Sequence, residues 1–463
     1  MKINAINRIL VQPSFYNRDS LQTNPNSSSE MLEDAVLPVL TIGTVGALTY
    51  LSTKNTYRSQ LAKDLSKELG QKITSKHLKS IMTKEELLKE LSKMNEQNFV
   101  ASVENIKNGT FLADLHSHSH YSDGTIKIKD FLNQAVEYGN KLNQINGKKF
   151  IVALSDHDGI KGVEEALKLI AQNPEKYKNI KFVPAAEMSF IMPCQEGSRR
   201  FQQFNSSVEM PEILVYNLNP FSKESKEFFN NLYNKRKQGV LDAINEAKKL
   251  YPDGNFSFEE YTKFYNPQEK YCFLNQHWKV WNYLHTKSRF AEIAKEQNRN
   301  ADSLYAEHFH KIKKYDRDVH PYSLKKYIEN ENIQTQTQAM NPLIGEEFKT
   351  RFFPQKKNDL EAFSPYELTF DDIANYAKKE NAVMGFAHPA FTMQNLLEKD
   401  MFERMNNFIK RSNGTLKLAE KYHQAYPFGN SISREELEKY NKILDQLKLI
   451  YMGGRDNHTP KMF

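Results

Sequence analysis

The string Asp114-Leu115-His116-Ser117-His118 follows a short apolar run, and the turn Ser122-Asp123-Gly124 comes just after it. Side chains two residues apart on a strand point the same way, so His116 and His118 can converge on one ion. The glycine turn can return the Asp123 carboxylate to the same place. Taken alone, such a string is more typical of a surface histidine cluster, and its meaning depends on the rest of the chain.

Four later apolar runs also end in a histidine or a carboxylate. They read Leu154-Ser155-Asp156-His157-Asp158, Ala185-Ala186-Glu187, Gly385-Phe386-Ala387-His388-Pro389 and Gly453-Gly454-Arg455-Asp456-Asn457-His458. Asp456 and His458 repeat the two-residue spacing, and a buried carboxylate such as Glu187 is unfavourable unless a cation or hydrogen-bond donors accept it. Each string by itself could be an ordinary surface or strand-end sequence without a functional role. For the site to be absent, that explanation would have to hold independently for all five strings.

Seven apolar runs alternate with amphipathic helical stretches after Gly109. The runs are 111–115, 150–154, 181–186, 213–216, 383–387, 416–419 and 449–452. This alternation predicts a parallel α/β protein. In α/β barrels the active site assembles at the C-terminal ends of the strands, which is where the five strings lie.

The residue types in these strings indicate the kind of site. A set of nitrogen and oxygen ligands without thiolates suits Zn, Mn or Fe. Eight such residues are too many for one ion, so we expect a cluster of two or three divalent metal ions. Clusters of this kind polarise a phosphoryl group and generate hydroxide for in-line attack.

From about Thr110 to His458, the order and spacing of these strings resemble the PHP family, the polymerase and histidinol phosphatase domain. The resemblance covers roughly three quarters of the chain. It implies an α/β fold in the form of a distorted seven-stranded (β/α) barrel. It also implies a trinuclear metal site and hydrolysis of phosphomonoesters or phosphodiesters.

The resemblance also assigns roles to individual residues. The implied ligands fall into three groups: His116, His118, Glu187 and Asp456 for one ion, Glu187 and His388 for a second, and Asp123, His157 and His458 for a third. Glu187 would bridge the first two ions, and a metal-bridging hydroxide would be the nucleophile. The implied catalytic carboxylates are Asp123, Glu187 and Asp456.

Two positions depart from the family pattern. The fourth strand opens with Glu212, where relatives often have a histidine, so the second ion is ligated differently, held more weakly or missing. Arg455 stands where a serine is usual, and it either binds a substrate phosphate or pairs with a carboxylate. The alternative function is therefore a catalytically inactive PHP-fold binding module. Against it, a scaffold without metal has no physical need for mutually repelling buried carboxylates.

The first 109 residues are expected to form three segments. Residues 1–30 are typical of a disordered leader, and residues 58–109 of a helical connector in which Thr83 and Glu86 make a capping box. Residues 31–57 contain the uncharged stretch from Ala35 to Leu51. That stretch is marginal in length for a bilayer, so it is either a single membrane tether or a buried or interfacial hairpin. If the stretch spans a membrane, the basic residues after it would place the main body in the cytoplasm. Both alternatives therefore favour a cytoplasmic main body.

The amino-acid composition excludes few classes of function. The 463 residues carry 64 basic and 57 acidic side chains, a formal charge of +7. This charge is too dilute to indicate nucleic acid by itself, but it does not discourage anionic substrates such as phosphates. Two cysteines are too few for a disulfide framework, and nothing in the composition identifies a protein partner.

The predicted metallophosphoesterase domain, residues 110–463, contains an insertion at about 220–368. The insertion resembles, more loosely than the ligand strings do, that of PHP nucleotide phosphatases and small exonucleases. Its basic and aromatic stretch from Lys311 to Tyr327 is typical of a nucleotide contact or of a solvated helix face. The predicted substrate is accordingly a phosphorylated small molecule, a nucleotide or a short oligonucleotide.

Overall fold

The computed structural model describes residues 42–194, 208–250, 252, 255–265, 287, 294–300, 303, 360, 364–393, 396–423 and 432–460. The chain divides into two units, residues 1–49 and 50–463. The predicted leader and residues 31–41 lie outside the described residues. Within the described part, no helix combines the length and apolar character that a membrane span requires. A tether formed by Ala35 to Leu51 therefore stays a prediction.

Seven strands form one sheet in the order β1-β2-β3-β6-β7-β8-β9, and β4 and β5 form a separate two-stranded sheet. The strands are β1 Ala113–Asp114, β2 Phe150–Leu154, β3 Ile180–Ser189, β4 Met192–Pro193, β5 Val208–Glu209, β6 Glu212–Tyr216, β7 Val383–Phe386, β8 Leu416–His423 and β9 Ile450–Gly454. The edge strands also meet, because the Leu115 N–H donates to the Gly453 carbonyl at 3.2 Å. The sheet is thus a nearly closed seven-stranded barrel, which confirms the predicted fold class.

The prediction that all strands run parallel was wrong for β6, which is antiparallel to both β3 and β7. Among the described residues, the connection from β3 to β6 carries the β4–β5 pair and no helix. An antiparallel pair can be joined without a crossover helix, whereas a parallel pair needs one. The reversal has a direct consequence, because Glu212 begins β6 at the rim where the neighbouring strands end.

Helices surround the barrel and precede it in the chain. They are α1 Ile42–Leu69, α2 Lys84–Leu91, α3 Val103–Lys107, α4 Ile128–Asn146, α5 Lys161–Gln172, α6 Lys223–Leu250, α7 Phe258–Tyr265, α8 Phe370–Lys379, α9 Pro389–Thr392, α10 Glu398–Arg411 and α11 Arg434–Leu447. The apolar faces of most of these helices pack on the outward side chains of the strands, whereas Leu87 and Leu91 of α2 join the cluster inside the barrel. Of the predicted insertion, the structure describes α6, α7 and a short 3-10 turn at Ser364–Tyr366.

The interior of the barrel is closed at its lower end by the segment before β1. Inward side chains of the strands form one buried cluster, which Met82, Leu87, Leu91 and Phe99 join. The backbone of this segment bonds to β3, since the Met82 N–H donates to the Phe182 carbonyl at 2.9 Å. The capping box predicted at the start of α2 is confirmed. With one end filled by apolar side chains, polar groups collect at the opposite rim.

Candidate metal centre

All the predicted metal ligands lie together at the rim where six of the seven barrel strands end. The first group is formed by His116, His118, Glu187 and Asp456, whose ligand atoms lie within 4.8 Å of one another. His116 Nε2 is 3.0 Å from Glu187 Oε2, and His118 Nε2 is 3.0 Å from Asp456 Oδ1. His116, His118 and Glu187 are completely buried. Side chains from β1, β3 and β9 thus converge as the strand-end strings predicted.

The second group lies beside the first and includes the doubtful ligand Glu212. His388 Nε2 is 3.1 Å from Glu187 Oε1 and 3.2 Å from Glu212 Oε2. The other oxygen of Glu212 lies 3.6 Å from His157 Nδ1. The Glu212 carboxylate therefore lies between the imidazoles of His388 and His157.

The third group consists of His118, Asp123, His157 and His458. Asp123 Oδ2 lies 3.1 Å from His458 Nε2 and 3.5 Å from His157 Nε2. The turn before α4 brings Asp123 back as predicted, and it requires Gly124, because a Cβ there would lie 2.4 Å from the His118 carbonyl oxygen. The His118 ring packs against those of His157 and His458, with centroid distances of 4.5 and 4.4 Å.

Sequence reasoning missed two residues of the rim, Glu420 and His423 on β8. Glu420 Oε1 lies 3.1 Å from His116 Nδ1, and His423 Nε2 lies 3.8 Å from Asp456 Oδ2. The apolar run predicted for this strand stops at Ala419, whereas β8 continues to His423. Strand alternation was the available signal, since Leu418 faces the barrel interior and the residue two positions later faces the same way.

The loops that carry the ligands adopt unusual backbone conformations. Asp158, His388 and Asp456 have positive φ angles of 47°, 26° and 51°. For residues other than glycine such angles are uncommon, and they cluster at functional sites. Gly454 is needed at the last strand end, because a Cβ would lie 2.3 Å from that of His116. The rim is thus shaped by strained and closely packed backbone.

The carboxylates that flank His157 do not hold its ring. Asp156 accepts hydrogen bonds from the N–H and hydroxyl of Ser119, at 2.6 and 2.7 Å. Asp158 accepts one from the Ser189 N–H at 3.0 Å and lies 3.4 Å from Arg236 Nη1. Both acids instead fasten the loop after β2 to its neighbours. The His157 ring itself faces Asp123 and Glu187, at 3.5 and 3.2 Å.

Arg455 pairs with Asp114 rather than facing an open cleft. Its Nε donates to Asp114 Oδ2 at 2.8 Å, and its backbone N–H donates to Oδ1 at 3.1 Å. Asp114 is fully buried, and the Arg455 side chain is 10% exposed. Of the two roles considered for Arg455, the structure favours carboxylate pairing, and a phosphate-binding role would require this pair to open.

The acids and histidines of the rim shift one another's proton affinity. Burial and the neighbouring His157 lower the pKa of His118, but contacts with Asp456 and Glu187 outweigh both and raise it to about 9. Burial raises the pKa of Glu187 and of Asp456, but the adjacent imidazoles hold both well below the usual range. The buried acids thus favour the protonated form of His118, and the imidazoles favour the ionised form of Glu187 and Asp456.

The donor set fits divalent metal ions. His118 Nε2 and His157 Nδ1 are buried and make no hydrogen bond, although carboxylate oxygens lie 3.0 to 3.3 Å away. These short contacts therefore lack hydrogen-bond geometry. Such an arrangement is expected where the nitrogen and oxygen atoms all point towards a common ion. Neutral imidazole nitrogens and carboxylate oxygens are ordinary ligands of Zn, Mn and Fe.

The basic and aromatic stretch from Lys311 to Tyr327, predicted to contact a nucleotide, lies outside the described residues. The described part of the insertion reaches the rim through Arg236 of α6. This side chain is 1% exposed and lies between Asp158 and Glu367, with Nε donating to Glu367 Oε2 at 2.9 Å. The helix is thereby anchored to the loop that carries His157.

Comparison with known proteins finds no matching family profile and no matching curated protein. Two solved structures are similar to this chain. A proposed metal-dependent phosphoesterase from Bifidobacterium adolescentis is 15% identical, with 76% of this chain and 89% of that chain covered and a TM-score of 0.38. An amidohydrolase from Chromobacterium violaceum, with bound sulfate and no metal, is 13% identical, with 75% and 88% covered and a TM-score of 0.37.

Proposed function

We propose that this protein is a metal-dependent phosphoesterase that binds two or three divalent cations at the barrel rim. The observation that carries the proposal is the position of Glu187. Its Oε2 lies 3.0 Å from His116 Nε2 and 3.2 Å from His157 Nδ1, while its Oε1 lies 3.1 Å from His388 Nε2. A fully buried carboxylate whose two oxygens face different sets of imidazoles suits a ligand shared between adjacent ions.

Bound divalent ions would polarise a phosphoryl oxygen and lower the pKa of a water molecule to the neutral range. His116, His118, Glu187 and Asp456 would hold the first ion, and Glu187, Glu212 and His388 the second. Asp123, His157 and His458 would hold the third. Zn, Mn and Fe all suit this set, and the two carboxylates of the second position favour Mn or Fe there.

The exposure of the ligands indicates where a substrate approaches. His116, His118 and Glu187 are sealed from solvent, whereas the side chains of Asp456 and His458 are 26% and 35% exposed. A phosphate would therefore reach the centre past His458. The sealed side excludes water and strengthens every charge interaction with the phosphate oxygens.

The finer proposal is that the substrate is a nucleotide or a short oligonucleotide, acted on as a phosphatase or exonuclease. It is supported by the looser similarity of the insertion to those of nucleotide-acting relatives. A cytoplasmic location, with a tether at Ala35 to Leu51, belongs to the same set of proposals.

The test is elemental analysis of protein purified without chelators, combined with hydrolysis assays. An aryl phosphate, adenosine monophosphate and adenosine bisphosphate would be compared with and without EDTA. Two to three metal equivalents and EDTA-sensitive turnover are expected. Protein with negligible metal and no turnover after addition of Mn or Zn would instead be the binding module.

A further inference from the structure

Glu420 lies in β8 with its side chain in the barrel interior, where it is 0% exposed. Both of its oxygens are engaged. Oε1 lies 3.1 Å from His116 Nδ1, and Oε2 accepts a hydrogen bond from the backbone N–H of His388 at 2.7 Å. The Tyr440 hydroxyl donates to the Glu420 carbonyl at 2.9 Å, which fixes the strand at this point. One carboxylate is thus tied to two predicted ligands from different strands.

The contact with His116 indicates which nitrogen of that ring would face a cation. His116 Nδ1 lies 3.1 Å from Glu420 Oε1 and can donate its proton there, which leaves Nε2 as the nitrogen that would bind a cation shared with Glu187 and Asp456. Carboxylates in this position orient a ligating imidazole and raise its basicity. Glu420 therefore supports the first cation position through His116.

The contact with His388 holds a strained backbone. His388 has φ 26° and ψ 49°, and it stands between the end of β7 and Pro389 at the start of α9. Such a conformation is unfavourable for a residue other than glycine and persists only where the surroundings enforce it. The hydrogen bond to Glu420 is one such constraint. It keeps His388 Nε2 between Glu187 and Glu212, at 3.1 and 3.2 Å.

We propose that Glu420 is a positioning residue shared by the first and second cation positions, and that it sets the affinity of both. The inference rests on the proposed function, since it presupposes bound cations. The side-chain hydrogen bonds of Glu420 to described residues go to His116 and His388. The group of Asp123, His157 and His458 draws no support from it, so an ion held there should be independent of Glu420.

Glu420→Gln tests this with almost no change in side-chain shape. The amide oxygen can still accept the His388 N–H, but the NH₂ group can meet His116 Nδ1 only as a donor, which puts the ring proton on Nε2, the nitrogen that would bind the cation. Metal content would be measured by elemental analysis after dialysis against increasing chelator concentrations. We expect the first two ions to leave at roughly 10- to 100-fold lower chelator, as is usual for partners of ligating histidines, with the third ion unchanged. Adding Asp123→Asn to the variant should release that remaining ion.

Glu209→Gln is the matched control, because Glu209 is also buried and charge-paired, with Arg404 at 2.8 Å, but lies outside the ligand groups. It should not shift the release of any ion. If Glu420→Gln does not fold, Glu420→Asp retains the charge and should weaken the same two ions by a smaller factor. Release of every ion at the wild-type concentration, or an equal shift of all three, would overturn the inference. A wild-type protein that binds no divalent ion would overturn the proposed function instead.

Discussion

Glu212 Oε2 lies 3.2 Å from His388 Nε2, although Glu212 begins one strand and His388 follows the end of the next. The contact exists because β6 runs against its neighbours, so that its first residue reaches the rim where theirs end. A cation held there, as we propose, would be bound by two carboxylates, Glu187 and Glu212, and one imidazole, a set rich in oxygen that suits harder cations.

Glu212→His should preserve or raise metal content and hydrolysis, and it should move the preference of the protein from Mn towards Zn. The reason is that imidazole suits Zn whereas carboxylate oxygen suits Mn. Elemental analysis after loading with an equimolar mixture of the two ions would measure the ratio. Glu212→Gln is the comparison variant and should lose about one equivalent of metal, because a neutral amide is a weaker ligand than a carboxylate. If neither variant alters metal content, Glu212 lies outside the centre.

His118→Ala combined with Asp456→Ala should abolish hydrolysis while leaving the barrel folded. The two side chains meet at 3.0 Å in the first ligand group, and losing both removes an ion whose contribution is several kcal/mol. The expected fall in kcat/KM is about 10³-fold or more. His120→Ala is the control, because the His120 ring packs against that of Tyr121 and His120 belongs to none of the ligand groups among the described residues. Full activity in the double variant, with native circular dichroism, would refute the assignment.

Much of this centre could be predicted because its ligands follow apolar runs. The run at 150–154 coincides with β2, and His157 follows three residues after its end. The direction of a strand could not be predicted, because an apolar run has the same pattern in a parallel and in an antiparallel strand. The sequence therefore did not show whether Glu212 lies at the rim with the other ligands. Glu420 was missed because the residues after Ala419 are mostly polar, so the apolar pattern ends there although β8 continues to His423. The partner of Arg455 was equally hidden, since Asp114 is 341 positions away in the chain.

Arg455→Ser should destabilise the protein by about 3–5 kcal/mol, the usual effect of leaving one member of a buried ion pair without its partner. Urea denaturation measures the loss, and adding Asp114→Asn should recover part of it by removing the unpaired charge. Arg434→Ala is the control, because its contact with Glu438 is exposed and should contribute less than about 1 kcal/mol. A raised KM for a phosphate ester with unchanged stability would instead support the phosphate-binding role.

Glu367→Gln should flatten the pH dependence of stability. Burial raises the pKa of Glu367 to about 8, and Asp158 adds to the rise, although Arg236 and Lys235 oppose it. The folded state therefore favours the protonated acid, and the associated stability is present below the ordinary pKa of 4.5 and lost as the pH rises through about 8. A glutamine cannot ionise, so the free energy of unfolding of the variant should fall less between about pH 5 and about pH 9. Urea denaturation at several pH values measures both curves, and parallel curves for wild type and variant would contradict the prediction.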